Sequence, residues 1–282
     1  NARGRPGGRR GSTMPKRPPP RAQRAPRATR EQIQMNGALL KLRTSQQLND
    51  YTKQNIHSFN LVNCVTALSR LAKFPITQSR PPSRDMLSRV CLKVEQLLNV
   101  EVCGPRHQAN ALWALARICP HLGGEDDKTH KKTNETLLPN LIINLLTLAL
   151  KNPAHFNPQE CANMLWAVGK LATQKKIVGL KEPFDKCVLD MLGSLGRLLG
   201  GNLDQMTPQG ISNILLSLAK ISENLTGSFQ MPAGIFLELV QTAGLKITRG
   251  AFNTQELSNT LWGLAKLLSS QSQLFGGLES QA

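Results

Sequence analysis

The stretch Asn157-Pro158-Gln159-Glu160-Cys161-Ala162-Asn163-Met164-Leu165-Trp166-Ala167-Val168-Gly169-Lys170-Leu171 reads as the opening turns of an amphipathic helix. Asn157 is an N-cap residue, whose side chain accepts a hydrogen bond from an otherwise free backbone amide. Pro158 suits the first helical position, where no amide hydrogen is needed, and Glu160 is spaced to close a capping box. Inside the helix, Asn163 is followed seven residues later by Lys170, and Leu165 and Val168 lie between them on one face.

That frame recurs along the chain. Asn63-Cys-Val-Thr-Ala-Leu-Ser-Arg70, Asn110-Ala-Leu-Trp-Ala-Leu-Ala-Arg117, Asn213-Ile-Leu-Leu-Ser-Leu-Ala-Lys220 and Asn259-Thr-Leu-Trp-Gly-Leu-Ala-Lys266 all align on their Asn, at intervals of 47, 53, 50 and 46 residues. Thr207-Pro208-Gln209 and Asn253-Thr254-Gln255-Glu256 repeat the capping logic, and Gly104-Pro105 is a weaker version. A second apolar periodic stretch follows in each interval and predicts helices over roughly 84–99, 135–151, 184–199 and 234–247, with connections of varying length such as His121–Lys132. No run of alternating β-branched residues argues for a sheet. The expected fold is all-α: a helical repeat domain over 45–282, an α-solenoid of about five helix–loop–helix repeats, each burying its apolar face on its neighbours.

Helical phase says what each first helix presents. With the Asn as position 0 and 100° per residue, positions +2 and +5 form a core stripe of Leu and Val. Position +7 falls beside the Asn, +3 and −4 lie close to it, and +4, a small residue, flanks it. Gln159, Gln209 and Gln255 occupy −4 in the last three copies. Two roles compete for Asn63, Asn110, Asn163, Asn213 and Asn259: a buried ladder satisfying backbone groups between repeats, or a row of amides that pair with base edges. Likewise Arg70, Arg117, Lys170, Lys220 and Lys266 either face solvent or make a basic rail for phosphates. Trp113, Trp166 and Trp262 share +3, where packing against the next repeat outranks stacking on bases because Leu216 and Thr66 substitute there. Aromatic residues total only 4%, which speaks against a stacking-platform module.

Charge points the same way. The formal net charge is +17, and residues 1–44 hold twelve Lys/Arg and one acid, Glu31. With Pro18-Pro19-Pro20 and many glycines, this segment is expected to be a disordered Arg/Pro-rich arm. Such an arm either tracks a phosphate backbone or belongs to an organelle transit sequence, although Ser and Thr are scarce. Residues 45–282 keep a smaller basic excess, which favours polyanionic partners. Residue 1 is Asn, so the natural start is expected upstream.

The six cysteines show no CxxC pair and no zinc-ligand spacing, and most sit in apolar helical patterns. A reducing compartment is expected, without metal or cofactor. No apolar run reaches the length of a membrane span. No phosphate loop, carboxylate pair or nucleophile–histidine set recurs, so neither an enzyme nor a small-molecule substrate is expected.

The run from Asn157 to Leu171 resembles the signature of octotricopeptide repeat proteins, whose repeats carry a Pro-Gln-Asp/Glu-x-x-Asn-x-Leu-Trp-Ala-x-Ala-Lys-Leu core. Asn253 to Leu267 matches nearly as well, Arg106 to Ile118 and Thr207 to Ile221 match in part, and the copy at Asn63, with Thr66 for Trp, diverges most. The chain is also similar to the helical repeats that precede RAP domains in organellar proteins. The resemblance spans about 55–268, though the intervals here exceed the family's usual repeat. It implies an RNA-binding solenoid of a mitochondrion or plastid. Such a protein acts on mRNA or rRNA in stability, processing or translation, or as a ribosome-associated subunit among other ribonucleoprotein partners. The alternative is a protein–protein interaction scaffold without direct RNA binding.

Overall fold

A computed structural model describes residues 28–75, 82–122, 128–174, 181–201, 203–225 and 229–279, the side chains of 128–136 and 271–279 excepted. Among them the chain is all-α, and one continuous hydrophobic core runs its length. The helices are α1 (Arg30–Lys41), α2 (Ser45–Asn55), α3 (Leu61–Lys73), α4 (Arg84–Leu98), α5 (Pro105–Ile118), α6 (Lys128–Lys151), α7 (Pro158–Ala172), α8 (Lys181–Gly193), α9 (Leu195–Leu199), α10 (Pro208–Asn224), α11 (Ala233–Thr248) and α12 (Thr254–Glu279). They form two layers. In the first, α1, α3, α5, α7, α10 and α12 pack side by side in that order. In the second, α2, α4, α6, α8 with α9, and α11 follow one another and cover the first. This is an α-solenoid.

The first-layer helices start where side chains replace missing backbone partners. Asn157 accepts from the Glu160 amide while Glu160 accepts from the Asn157 amide, and Asn253 with Glu256 does the same. Thr207 caps α10 through the Gly210 amide. The Leu/Val positions at +2 and +5 are buried in α3, α5, α7 and α10. Position +4 is buried too, as Ala67, Ala114, Ala167, Ser217 and Gly263, because it faces the neighbouring first-layer helix. A Cβ added at Gly169 would stand 2.7 Å from the Ser217 Cα, and one at Gly263 2.8 Å from the Leu215 carbonyl carbon. Small residues at these points let backbones approach to near contact.

Three expectations need correction. The disordered segment does not extend to residue 44: α1 begins at Arg30, closed by a capping box between Thr29 and Gln32, and packs on α3 with α2 behind it. Disorder of residues 1–27 lies outside the described residues. This hairpin buries only Met35 and Leu39 in α1 and Leu48 and Thr52 in α2, too few positions to show a period within a basic, polar stretch. The helix expected over 184–199 is broken at Ser194, after Gly193, into α8 and α9. Finally, α6 begins at Lys128, so the end of the connection expected over His121–Lys132 is helical.

Candidate nucleic-acid interface

Where helices pack on two sides and the second layer covers a third, as for α5, α7 and α10, a first-layer helix retains one strip open to solvent. In α7 that strip is Gln159, Asn163, Trp166 and Lys170; in α10 it is Gln209, Asn213, Leu216 and Lys220. In α5 it is Arg106, Asn110, Trp113 and Arg117, and in α12 the corresponding residues are Gln255, Asn259, Trp262 and Lys266. All are half-buried or exposed, at −4, 0, +3 and +7 from the recurring Asn. Because the helices lie side by side, four rows become a grid: an amide or Arg column, an Asn column, an apolar column and a basic column.

The Asn column divides by position. Asn63 is fully buried, since α3 starts a turn later than its counterparts and makes Asn63 the third residue of the helix. Its side chain closes a capping box with Asn60, and its Nδ2 donates to the Gln32 carbonyl of α1 at 2.9 Å. The ladder role therefore holds for this copy. Asn110, Asn163, Asn213 and Asn259 are half-buried, and among the described residues their side chains make no hydrogen bond to a neighbouring repeat. Instead Gln159 Nε2 donates to Asn163 Oδ1 at 2.9 Å, and Gln255 Nε2 donates to Asn259 Oδ1 at 3.0 Å. In such a pair one amide donates and the other accepts, whichever way round they stand. The outward remainder is one carbonyl oxygen and one NH2 group, a donor beside an acceptor, as on the edge of a nucleobase.

The apolar column is continuous between α5 and α7, where the Trp113 and Trp166 rings meet with centroids 6.3 Å apart at 37°. Packing between repeats, the favoured expectation, holds for this pair. Trp262 on α12 is 38% exposed. The tryptophans also meet their own row's base one turn on: Arg117 lies over Trp113 at 5.2 Å and Lys266 over Trp262 at 5.6 Å.

The basic column is not uniform. Arg70 donates to the Leu42 carbonyl at the end of α1 and lies over the Phe74 ring. Arg117 repeats the device one repeat on, its Nε donating to the Ala72 carbonyl of α3 at 3.0 Å. Both satisfy carbonyls that a helix C-terminus leaves without partners. They therefore join repeats, a role that spacing alone does not reveal. Just beyond α7 this task passes to Gln174, whose Nε2 donates to the Ala116 carbonyl at 3.4 Å, and Lys170 takes no part in it. Lys266 pairs with Glu223 of α10 at 2.7 Å. Lys170 and Lys220 have no carboxylate within salt-bridge distance among the described residues. Burial, and secondarily the charge of Lys170, holds the Lys220 ammonium below the usual lysine range.

Outside the strip little chemistry is on offer. Among the described residues no cluster of His, Cys, Asp and Glu is arranged to hold a metal, and no helix is long and apolar enough to cross a membrane. The thiols of Cys64, Cys103, Cys119 and Cys161 are pushed up to about 12 by burial, which makes them packing groups rather than nucleophiles. Searches against models of protein families and against curated proteins return no match.

Proposed function

We propose that the chain is an RNA-binding helical-repeat protein whose ligand, a single-stranded segment of mRNA or rRNA, lies across the grid of first-layer strips. The observation that carries this reading is the Gln159–Asn163 pair, repeated at Gln255–Asn259, which turns a donor and an acceptor outward on an otherwise open strip. Asn and Gln read adenine edges bidentately, and repeat proteins that assign two or three side chains to each base are an established solution. Arg106 stands where the other rows carry Gln, a residue suited to guanine O6 and N7. The basic excess of the chain supplies the sequence-independent attraction. Site of action in a mitochondrion or plastid, and a part in RNA processing, translation or a ribosome, are proposed on the family resemblance alone.

Selection from a randomised RNA pool with the purified chain, followed by sequencing of what is retained, tests the reading. Wild type is expected to enrich a defined motif. A variant with Gln159, Asn163, Gln255 and Asn259 all changed to Ala is expected to hold RNA without enriching it, at unchanged helical content. A wild-type chain that retains no RNA above background even at low salt would instead favour a protein–protein scaffold.

A further inference from the structure

The five bases at +7 differ in company, and two of them, on the adjacent helices α7 and α10, have no carboxylate partner among the described residues. Lys170 and Lys220 stand one repeat apart on α7 and α10, and both are half-buried. They flank a close crossing in the first layer: Gly169 directly precedes Lys170, and Ser217, whose Cα would stand 2.7 Å from a Cβ added at Gly169, lies one turn before Lys220. A bulkier residue at either point would spread the helices and separate the two ammonium groups. The acid that serves the neighbouring row, Glu223, is taken by Lys266. Burial first, and the charge of Lys170 second, lower the affinity of Lys220 for its proton, as expected of like charges that repel from adjacent helices at a partly dry surface. An anion placed between them removes that repulsion and gains charge-assisted hydrogen bonds from both.

We infer that Lys170 and Lys220 form a single anion seat for one phosphodiester group of a bound nucleic-acid strand, which fixes the strand's register on the repeats. The inference rests on the RNA reading above. It replaces a uniform basic rail by one anchored phosphate, with Arg70 and Arg117 joining repeats and Lys266 neutralised in place. The nearby Asn163 and Asn213 amides then meet the bases on either side of that phosphate.

The test measures fluorescence anisotropy of a labelled mixed-sequence single-stranded RNA on the full chain, at salt concentrations between about 50 and about 200 mM. Lys170→Gln and Lys220→Gln are each expected to weaken binding about tenfold and to reduce the salt slope by roughly one contact. Because both hold one phosphate, the double variant is expected to lose much less than the product of the two effects. Lys266→Gln serves as the comparator and is expected to change affinity less than about threefold, since its charge is already paired. Equal losses at Lys170, Lys220 and Lys266, or a fully multiplicative double variant, overturn the shared seat while leaving RNA binding intact. A wild-type chain that binds no RNA overturns the RNA reading instead. The seat is then tested with inorganic phosphate, followed at the lysine side-chain nitrogens by NMR. Joint movement of Lys170 and Lys220, lost in Lys170→Gln, sustains the anion seat; two unmoved resonances remove it. Tighter retention of poly-glutamate than of RNA would overturn the phosphodiester assignment in favour of an acidic peptide.

Discussion

Gln174 donates from its side-chain amide to the carbonyl oxygen of Ala116, one repeat back, at the end of the first layer where Arg117 reaches Ala72 and Arg70 reaches Leu42. Each contact stitches a helix C-terminus to the next repeat. Arg117→Met is expected to lower the unfolding free energy by about 1 kcal/mol, the scale of one hydrogen bond at an exposed position. Arg117→Lys should recover little of it, because an ammonium lacks the planar donor set of a guanidinium. Urea denaturation of the two variants checks both, and full stability in Arg117→Met would show the contact to be incidental.

The glycines of the first layer separate propensity from packing. Gly→Ala in a free helix interior gains up to about 1 kcal/mol. Nothing lies within 4 Å of a Cβ built at Gly37, so Gly37→Ala is expected to stabilise. At Gly169 and Gly263 the same change drives a methyl group into the neighbouring helix, and a net loss of about 1–3 kcal/mol is expected. Thermal unfolding of the three variants should give opposite signs.

Stability should also depend on pH through His107. Among the described residues its buried Nδ1 has no hydrogen-bond partner, and burial, with the charge of Arg106 second, holds its pKa below the ordinary 6.5. The folded state therefore prefers neutral imidazole, while the unfolded chain takes up a proton below about 6.5. This contribution is complete above that pH and is lost as the pH falls toward the lowered folded value. Denaturation midpoints are expected to fall across that window in wild type and to fall less in His107→Gln. Parallel profiles would mean that other groups carry the dependence.

Capping at the interface should be separable from binding. Asn157→Ala removes one side of the α7 capping box and is expected to cost about 1 kcal/mol. Because Asn157 lies before the strip, RNA affinity at a temperature well below unfolding should not change. A matching loss of affinity would place Asn157 in the ligand's path.

Much of this was legible in the residues. The Asn-to-base spacing located α3, α5, α7, α10 and α12, and a turn of 100° per residue put −4, 0, +3 and +7 on one strip, where those positions lie in α5, α7, α10 and α12. The partners of the basic side chains were not legible, because they belong to neighbouring repeats. Whether a base at +7 meets a helix-end carbonyl, as Arg117 does, or an acid, as Lys266 does, depends on side-chain reach across an interhelical gap. Asn63 shows the same limit from the other side: its phase matches its counterparts, but its helix begins later, and the residue becomes a cap. The α1–α2 hairpin stayed hidden because charge dominates its composition and its core is only a few side chains.

The break at Ser194 gives the two layers unequal mechanical character. The first layer is a row of helices whose backbones leave no room for a Cβ at Gly169 and Gly263, so it resists compression and shear there. The second is divided at Ser194, between α8 and α9, beside the repeats that carry Lys170 and Lys220. The closely packed first layer is therefore the stiffer edge of the array, and the second, interrupted at Ser194, the more compliant one.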